Sequence, residues 1–348
     1  MPRSAQSIST SSPPARHPPS CRVAVLAVEG ALASSMTAPL DAFRLANTLF
    51  TRVHPGEPEP FLLDLVHAHG KREVMTAGGL LLSGIKPLAF DTEILLVPGL
   101  AYRGAQELDE KIEQLTSERA LLQRAHAEGL RIGGGCSGSY LMAASGILDG
   151  KKAATSWWLA PAFAQRFPKV ELDPTAVYVE SGNLATAGAV TAMFTVVLRL
   201  IEARMGQELA LNTARVLLVD YERQSQAPFV TEALLQRPRT AFSEKIENYL
   251  RARLAQPLSV EALAAHSNMS PRTLLRRFQQ VYHRTPQAYM QQLRITRAKA
   301  LLETTQLSLP EVIEQCGYSD LASFRKLFKR LTDLTPADYR MRFSLRGP

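Results

Sequence analysis

The chain of 348 residues is short of the side chains that staple a fold or ligate a metal. Its three cysteines, Cys21, Cys136 and Cys316, are too few for a disulfide framework and stand in no metal-ligand cluster, so neither a disulfide nor a metal site is expected. That usage fits a reducing cytosol, and a cytoplasmic protein is expected. No stretch approaches the roughly 18 apolar residues of a membrane span. Residues 1–20 carry Ser, Pro and a few Arg without an apolar core, and read as a disordered tail rather than a signal peptide. Histidine is scarce as well: there are seven, and none lies between His126 and His266.

Positive charge is present in excess, and its placement says more than its total. The formal net charge is +8; from Ala241 onward 17 Lys/Arg face 9 Asp/Glu, whereas the remainder holds 23 of each. A basic run ordinarily means a solvated helical surface. That does not explain a neutral first part beside a basic last part, which points to nucleic acid as the partner. The length predicts two domains, each with a substantial core.

Residues 258–340 contain one unit twice. Adding 50 to a position carries Leu263 to Ile313, Leu274 to Phe324, Phe278 to Phe328, Val281 to Leu331, Thr285-Pro286 to Thr335-Pro336 and Tyr289 to Tyr339. Each copy predicts a short helix, a turn and a longer helix. Ser259 caps the first short helix, and Ser270 with Pro271 restarts the chain. In the second copy Ser308 and Glu311 have capping-box spacing, Gly317-Tyr318 makes the turn, and Ser319 or Asp320 caps the longer helix. The longer helices bury Leu274, Phe278 and Val281 in one copy and Leu321, Phe324, Phe328 and Leu331 in the other. Arg272, Thr273, Arg276 and Gln280, and in the second copy Ser319, Ser323, Lys326 and Arg330, are left as DNA-reading candidates, since Arg and Gln contact base edges in bidentate fashion. Residues 287–304 between the copies predict one helix of about 27 Å. That is close to the groove repeat of about 34 Å, so the two units are spaced for successive grooves on one side of a duplex.

These residues, together with Arg294-Ile295-Thr296-Arg297-Ala298, Leu301-Leu302 and Thr335-Pro336-Ala337-Asp338-Tyr339-Arg340, resemble the DNA-binding domain of the AraC/XylS family of bacterial transcription regulators.

Toward the N-terminus, residues 23–28 and 93–97 are apolar runs of the kind buried parallel strands show, with another strand at 61–68 and an edge hairpin around 74–82. Helix patterns fall at 39–50, at 106–129 and, as the helix closing the first domain, at 207–220. The expected class is α/β: a doubly wound, flavodoxin-like parallel-sheet domain at 21–220, a linker at 221–238, and an all-α domain with two helix-turn-helix units at 239–348.

At 130–138 a strand runs into Gly133-Gly134-Gly135-Cys136-Ser137-Gly138 and then a helix. Glycines flanking one exposed residue are what a nucleophile elbow requires; the same residues equally describe a Gly-rich turn around a small buried Cys. With Leu148-Asp149-Gly150, Thr155-Ser156-Trp157-Trp158, Tyr178-Val179-Glu180-Ser181-Gly182-Asn183 and Thr186-Ala187-Gly188-Ala189, this part resembles the class I glutamine-amidotransferase-like domain found ahead of AraC-type DNA-binding domains.

Cysteine hydrolysis needs a base near the sulfur. Catalytic relatives carry a His directly after the Cys or well downstream, whereas here Ser137 and Ser156 hold the corresponding places, and Ser34-Ser35 stand where some relatives have an acid. No catalytic residue is therefore assigned, and the chain is not expected to be an enzyme. The expected pocket at the carboxyl ends of the strands is lined by Glu29, Gly99, Leu100, Cys136, Ser137, Ser156 and Trp157; Trp157 and Trp158 either cage a quaternary amine or simply pack the core. The expectation is a regulator that reads promoter DNA and holds a small, nitrogenous effector, with an amidase-like cysteine hydrolase as the alternative. The implied partners are duplex DNA, the effector, RNA polymerase and a second copy of the chain, with no cofactor, metal or membrane.

Overall fold

The computed structural model describes residues 17–231, 240–282 and 284–345. Most of the expected tail and the second half of the expected linker lie outside the described residues.

The first domain runs through β1 (Cys21–Leu26), α1 (Ala33–Val53), β2 (Phe61–His67), β3 (Val74–Met75), β4 (Leu81–Leu82), β5 (Lys86–Pro87), β6 (Thr92–Val97), α2 (Ala105–Gln114), α3 (Thr116–Ala127), β7 (Arg131–Gly135), α4 (Ser137–Ala144), β8 (Lys152–Ala153), α5 (Ala160–Arg166), β9 (Glu171–Leu172), β10 (Tyr178–Ser181), β11 (Leu184–Ala187), α6 (Met193–Met205) and α7 (Gln207–Leu217). Its main sheet has the order β10-β11-β7-β6-β1-β2-β5, parallel at every pairing except β10 with β11. β1 and β6 sit at the centre because residues apolar on both faces need helices on both sides. Helices α1, α6 and α7 pack together on one face, and α2, α3 and α4 on the other. The hairpin β3–β4 forms a separate two-stranded sheet.

Three helix boundaries differ from the sequence pattern. Helix α1 starts at Ala33, with Pro39 inside it; a proline there removes one amide donor but leaves the apolar stripe of Met36, Phe43 and Ala46 buried, and the stripe prevails. The single helix expected at 106–129 breaks at Leu115 (ψ 51°). Leu108 and Ile112 point one way, whereas Leu121, Leu122 and Ala125 lie about a third of a turn round the helix, so one straight helix cannot bury both sets. Helix α7 ends at Leu217 instead of 220, where Leu218 turns left-handed (φ 53°).

At the β1–β2 edge, Asp64 is buried and accepts hydrogen bonds from Lys86 (2.6 Å) and Arg22 (2.7 Å). Burial alone would raise its carboxyl, but the two cations outweigh it and hold the group below the ordinary carboxylate range. A depressed folded-state value means a contribution present above the unfolded pKa of about 3.9 and lost as pH falls further. In acid titration followed by circular dichroism, Asp64→Asn should flatten the loss of stability below about pH 4; an unchanged acid limb would show the pair to be inert.

The second domain consists of α8 (Ala241–Ala252), α9 (Val260–His266), α10 (Pro271–Tyr282), α11 (Pro286–Thr304), α12 (Leu309–Gln315), α13 (Leu321–Thr332) and α14 (Pro336–Phe343). It has two cores, and α11 contributes to each: Tyr289, Met290 and Leu293 to the first, Ile295, Ala298, Leu301 and Leu302 to the second. Arg294 sits at the division. It is 9% exposed and donates to the carbonyls of Leu254 (2.8 Å) and Gln256 (2.6 Å), with its guanidinium over the Tyr318 ring.

Candidate functional site

Cys136 takes φ 56°, ψ −129°, in the left-handed half of backbone space that side chains ordinarily avoid. The crowding expected of an elbow is there. A Cβ on Gly138 would stand 2.6 Å from the Val97 carbonyl oxygen and 2.9 Å from that of Pro98, so α4 lies against the end of β6 only because position 138 is glycine. The Cys136 amide donates to the carbonyls of Ala187 and Gly188, and its own carbonyl accepts from the hydroxyls of Ser139 and Thr155.

The surroundings do not activate the sulfur. Cys136 is 5% exposed, and burial pushes its thiol up, against the weaker lowering effect of hydrogen bonds from Ser156 and Ser137. Each of the six described histidines is engaged elsewhere. His17 and His54 lie beside Glu57, and His69 beside Glu118. His67 accepts from the Gly70 amide, His126 meets Asn183, and His266 lies against Tyr249. His126 also sits before β7, at the opposite end of that strand from Cys136.

Of the expected pocket residues, Gly99, Leu100, Cys136, Ser137 and Ser156 do come together. Ser137 is fully buried, and its hydroxyl bridges the Leu100 amide (2.7 Å) and carbonyl (3.0 Å), so it ties β6 to the elbow. Ser156 is equally buried and donates to the Gly188 carbonyl. Glu29 is not part of the group: it is exposed and faces the Met75 amide and Lys71. Trp157, by contrast, lines open space. It borders a cavity of about 480 Å³ with Val177, Phe194, Gln226 and Phe229, and a second of about 440 Å³ between the domains. The open space thus lies to the side of the elbow, since Cys136, Ser137 and Ser156 are buried and border neither cavity. Trp158 instead donates from its indole N–H to the Tyr102 hydroxyl, edge-on to Trp157.

Gln226 was not visible as a site residue, because a polar stretch holding Pro228 reads as linker. Its carboxamide is buried, donates to the carbonyls of Thr155 (2.8 Å) and Ala176 (2.9 Å), and accepts from the Trp157 amide (3.3 Å). The only hint in the sequence is the neighbouring Ala227-Pro228-Phe229, apolar in a polar run.

On the second domain, Arg272, Arg276 and Gln280 stand exposed along α10, and Ser319, Ser323, Lys326 and Arg330 along or just before α13. Thr273 is half-buried, and its hydroxyl accepts from Ser270. Asp320, rather than Ser319, caps α13, accepting from the amides of Ala322 and Ser323. Arg330, with Leu331 and Val281, also borders the cavity between the domains, opposite Trp157 and Pro161. Away from both sites, and contrary to the expected lack of any ligand cluster, His17, His54 and Glu57 bring ligand-type atoms within 4.8 Å of one another. The two rings also rest on Phe50, which gives them an apolar reason to meet. Among the described residues no helix is long and apolar enough to cross a membrane.

A family model described as "Helix-turn-helix domain" matches residues 263–342. The HTH-type transcriptional regulator GbdR of Pseudomonas aeruginosa is 29% identical over 65% of this chain; the match spans 62% of its own length, somewhat under two thirds. The HTH-type transcriptional regulator GlxA of Rhizobium meliloti is 32% identical over 65% of this chain and 70% of its own. A solved structure of an AraC family transcriptional regulator from Pseudomonas putida aligns with 57% of this chain and 99% of its own, at 21% identity and a TM-score of 0.45.

Proposed function

The chain belongs to the AraC family of helix-turn-helix transcriptional regulators, and we propose that it reads promoter DNA through α10 and α13 while its first domain holds a small nitrogenous metabolite without transforming it. The observation that carries this reading is the repeated unit itself: two capped helices 50 residues apart, each burying an aromatic stripe and exposing Arg, Lys or Gln, joined by one rigid α11. In this reading the exposed Arg276 pairs with a guanine edge, and the exposed Lys326 acts at the repeat-related position about one helical turn away.

The effector is assigned to the cavity beside the elbow. Trp157 and Phe194 offer aromatic surface to a positively charged nitrogen there, while Asp220 at the rim is paired with Arg223, whose guanidinium also lies over the Phe229 ring. Occupancy would then alter DNA binding or contact with RNA polymerase, and a second copy of the chain is the natural partner on a repeated operator.

Binding to a promoter library tests the reading. Arg276→Ala should lower affinity for preferred sites by about 1–3 kcal/mol and relax preference at one position, and Lys326→Ala should do so at another about ten base pairs away. Equal weakening on every sequence would make both residues phosphate contacts and refute the facing assignment.

One observation favours a hydrolase as the second reading, namely the strained backbone at Cys136. The raised thiol and the absence of a contacting His among the described residues weigh against it. No Cys136-dependent turnover of a simple amide is expected, and Cys136→Ala should fold and bind DNA as the parent does. Turnover well above a heat-treated control, abolished by that substitution, would establish the hydrolase.

A further inference from the structure

Residues 221–231 do not behave as a free linker. Their first part is zipped onto the first domain: the Gln226 amide donates to the Thr175 carbonyl (2.7 Å), the Val177 amide donates to the Gln224 carbonyl (3.0 Å), and Ala176 and Ser225 form a bridge. Gln226 then sends its carboxamide inward to Thr155, Ala176 and Trp157. Thr155 in turn donates to the Cys136 carbonyl, so the strap is two hydrogen bonds from the elbow. The fit is close, because a Cβ on Gly188 would lie 2.4 Å from the Gln226 carboxamide.

Three residues later the same segment belongs to the other domain. Phe229 packs edge-on against Phe343 at 5.3 Å, with Arg342 and Arg223 near its ring. The Val230 carbonyl accepts from Lys299, a lysine only 4% exposed on α11, and residues 227–229 pack against α13. Gln226 and Phe229 are also part of the wall of the 480 Å³ cavity.

We infer that residues 221–231 form a strap through which occupancy of the cavity beside Trp157 is passed to the second helix-turn-helix unit, with Gln226 as its positioning residue. This rests on the assignment of the effector to that cavity. A ligand there touches Gln226 and Phe229 directly, and it biases the strap by whatever contacts it makes better in one strap position than in another. The strap has few places to move without dragging α13, since Phe229 and Val230 are held by α11, α13 and α14. The coupling is reciprocal, so a change on the DNA-binding side must also be felt at Trp157.

Hydrogen exchange on the full chain without DNA, together with DNA affinity, tests the inference. Gln226→Ala should speed exchange at 224–231 about tenfold and also raise it in the C-terminal half of α13. Affinity for promoter DNA should shift by about fivefold, with peptides from β1 and β6 unchanged. Gly188→Ala should act as a wedge with the same signature. The double substitution should match Gln226→Ala alone, because the clash partner has gone. A purely structural role would loosen 224–231 and leave both α13 and DNA affinity as they were, and that result overturns the inference. Phe229→Ala reads the coupling from the other side and serves if the first variants do not fold; exchange at 154–158 should rise, and no change there also overturns it. Coupled exchange in a chain that shows no salt-sensitive DNA binding would uphold the strap while refuting the DNA-regulator reading.

Discussion

Raising salt from about 50 to about 200 mM is expected to weaken binding of the full chain to promoter DNA roughly 150-fold. The excess charge lies on residues 241–348, but not all of it is available. Arg294 and Lys299 are buried and committed to backbone carbonyls, Arg340 donates to the Leu307 carbonyl, and Arg253 and Arg277 lie over Tyr249 and Phe242. Arg272, Arg276, Arg325, Lys326, Lys329 and Arg330 remain exposed on α10 and α13. Arg276 and Lys326 are assigned to base edges, so if the other four each neutralise a phosphate, the logarithm of the binding constant should fall against the logarithm of salt with a slope of about −3.6. Fluorescence anisotropy across a salt series measures this directly. A slope shallower than about −2 would mean that the basic face is a solvated surface and not a phosphate-binding one.

What could be read from the sequence and what could not divides along physical lines. The helix-turn-helix pair was legible because a capping residue and a 3.6-residue stripe agree at each copy, with a turn glycine, Gly317, added in the second. The central strands were legible because burial on both faces leaves a continuous apolar run. The elbow could be found from its glycines, since the close approach of Gly138 to Val97 and Pro98 admits no side chain. The break at Leu115 could not, because residues 105–127 suit a helix throughout and only the direction of burial changes. The closure of the elbow was hidden for a similar reason. Nothing local to Ser137 announces that its hydroxyl is taken up by Leu100, a residue 37 positions away. Gln226 was missed because its partners are Thr155, Trp157 and Ala176, and one polar residue in a polar stretch carries no sign of contacts 50 to 71 residues distant.

Gly317→Ala is expected to disable the second helix-turn-helix unit. Gly317 forms the turn between α12 and α13 at φ +74°, where an L side chain is disfavoured by about 1–2 kcal/mol before any contact is considered. Its surroundings make the change much worse. An added Cβ would stand 2.6 Å from the Ala255 carbonyl oxygen, 2.7 Å from its Cα and 2.8 Å from its carbonyl carbon. These are backbone atoms, which have no rotamer to change, and the flanking Leu254 and Gln256 carbonyls are the two that Arg294 holds. Moving the 254–256 segment away therefore strains or breaks the bonds that join the two cores of the domain. Strain and lost bonds together should destabilise the domain by about 3–5 kcal/mol, in the range kept for backbone clashes and broken buried networks. Urea denaturation followed by circular dichroism should show a separate early transition, and DNA preference should fail first at the position read by Lys326 while that read by Arg276 persists. Gly78→Ala is the matching control, since nothing lies within 4 Å of its added Cβ and its backbone is unstrained; it should leave the transition where it was. A Gly317→Ala chain with the parent's midpoint would show that the 254–256 segment yields freely, and that Arg294 does not hold the two units at a fixed spacing.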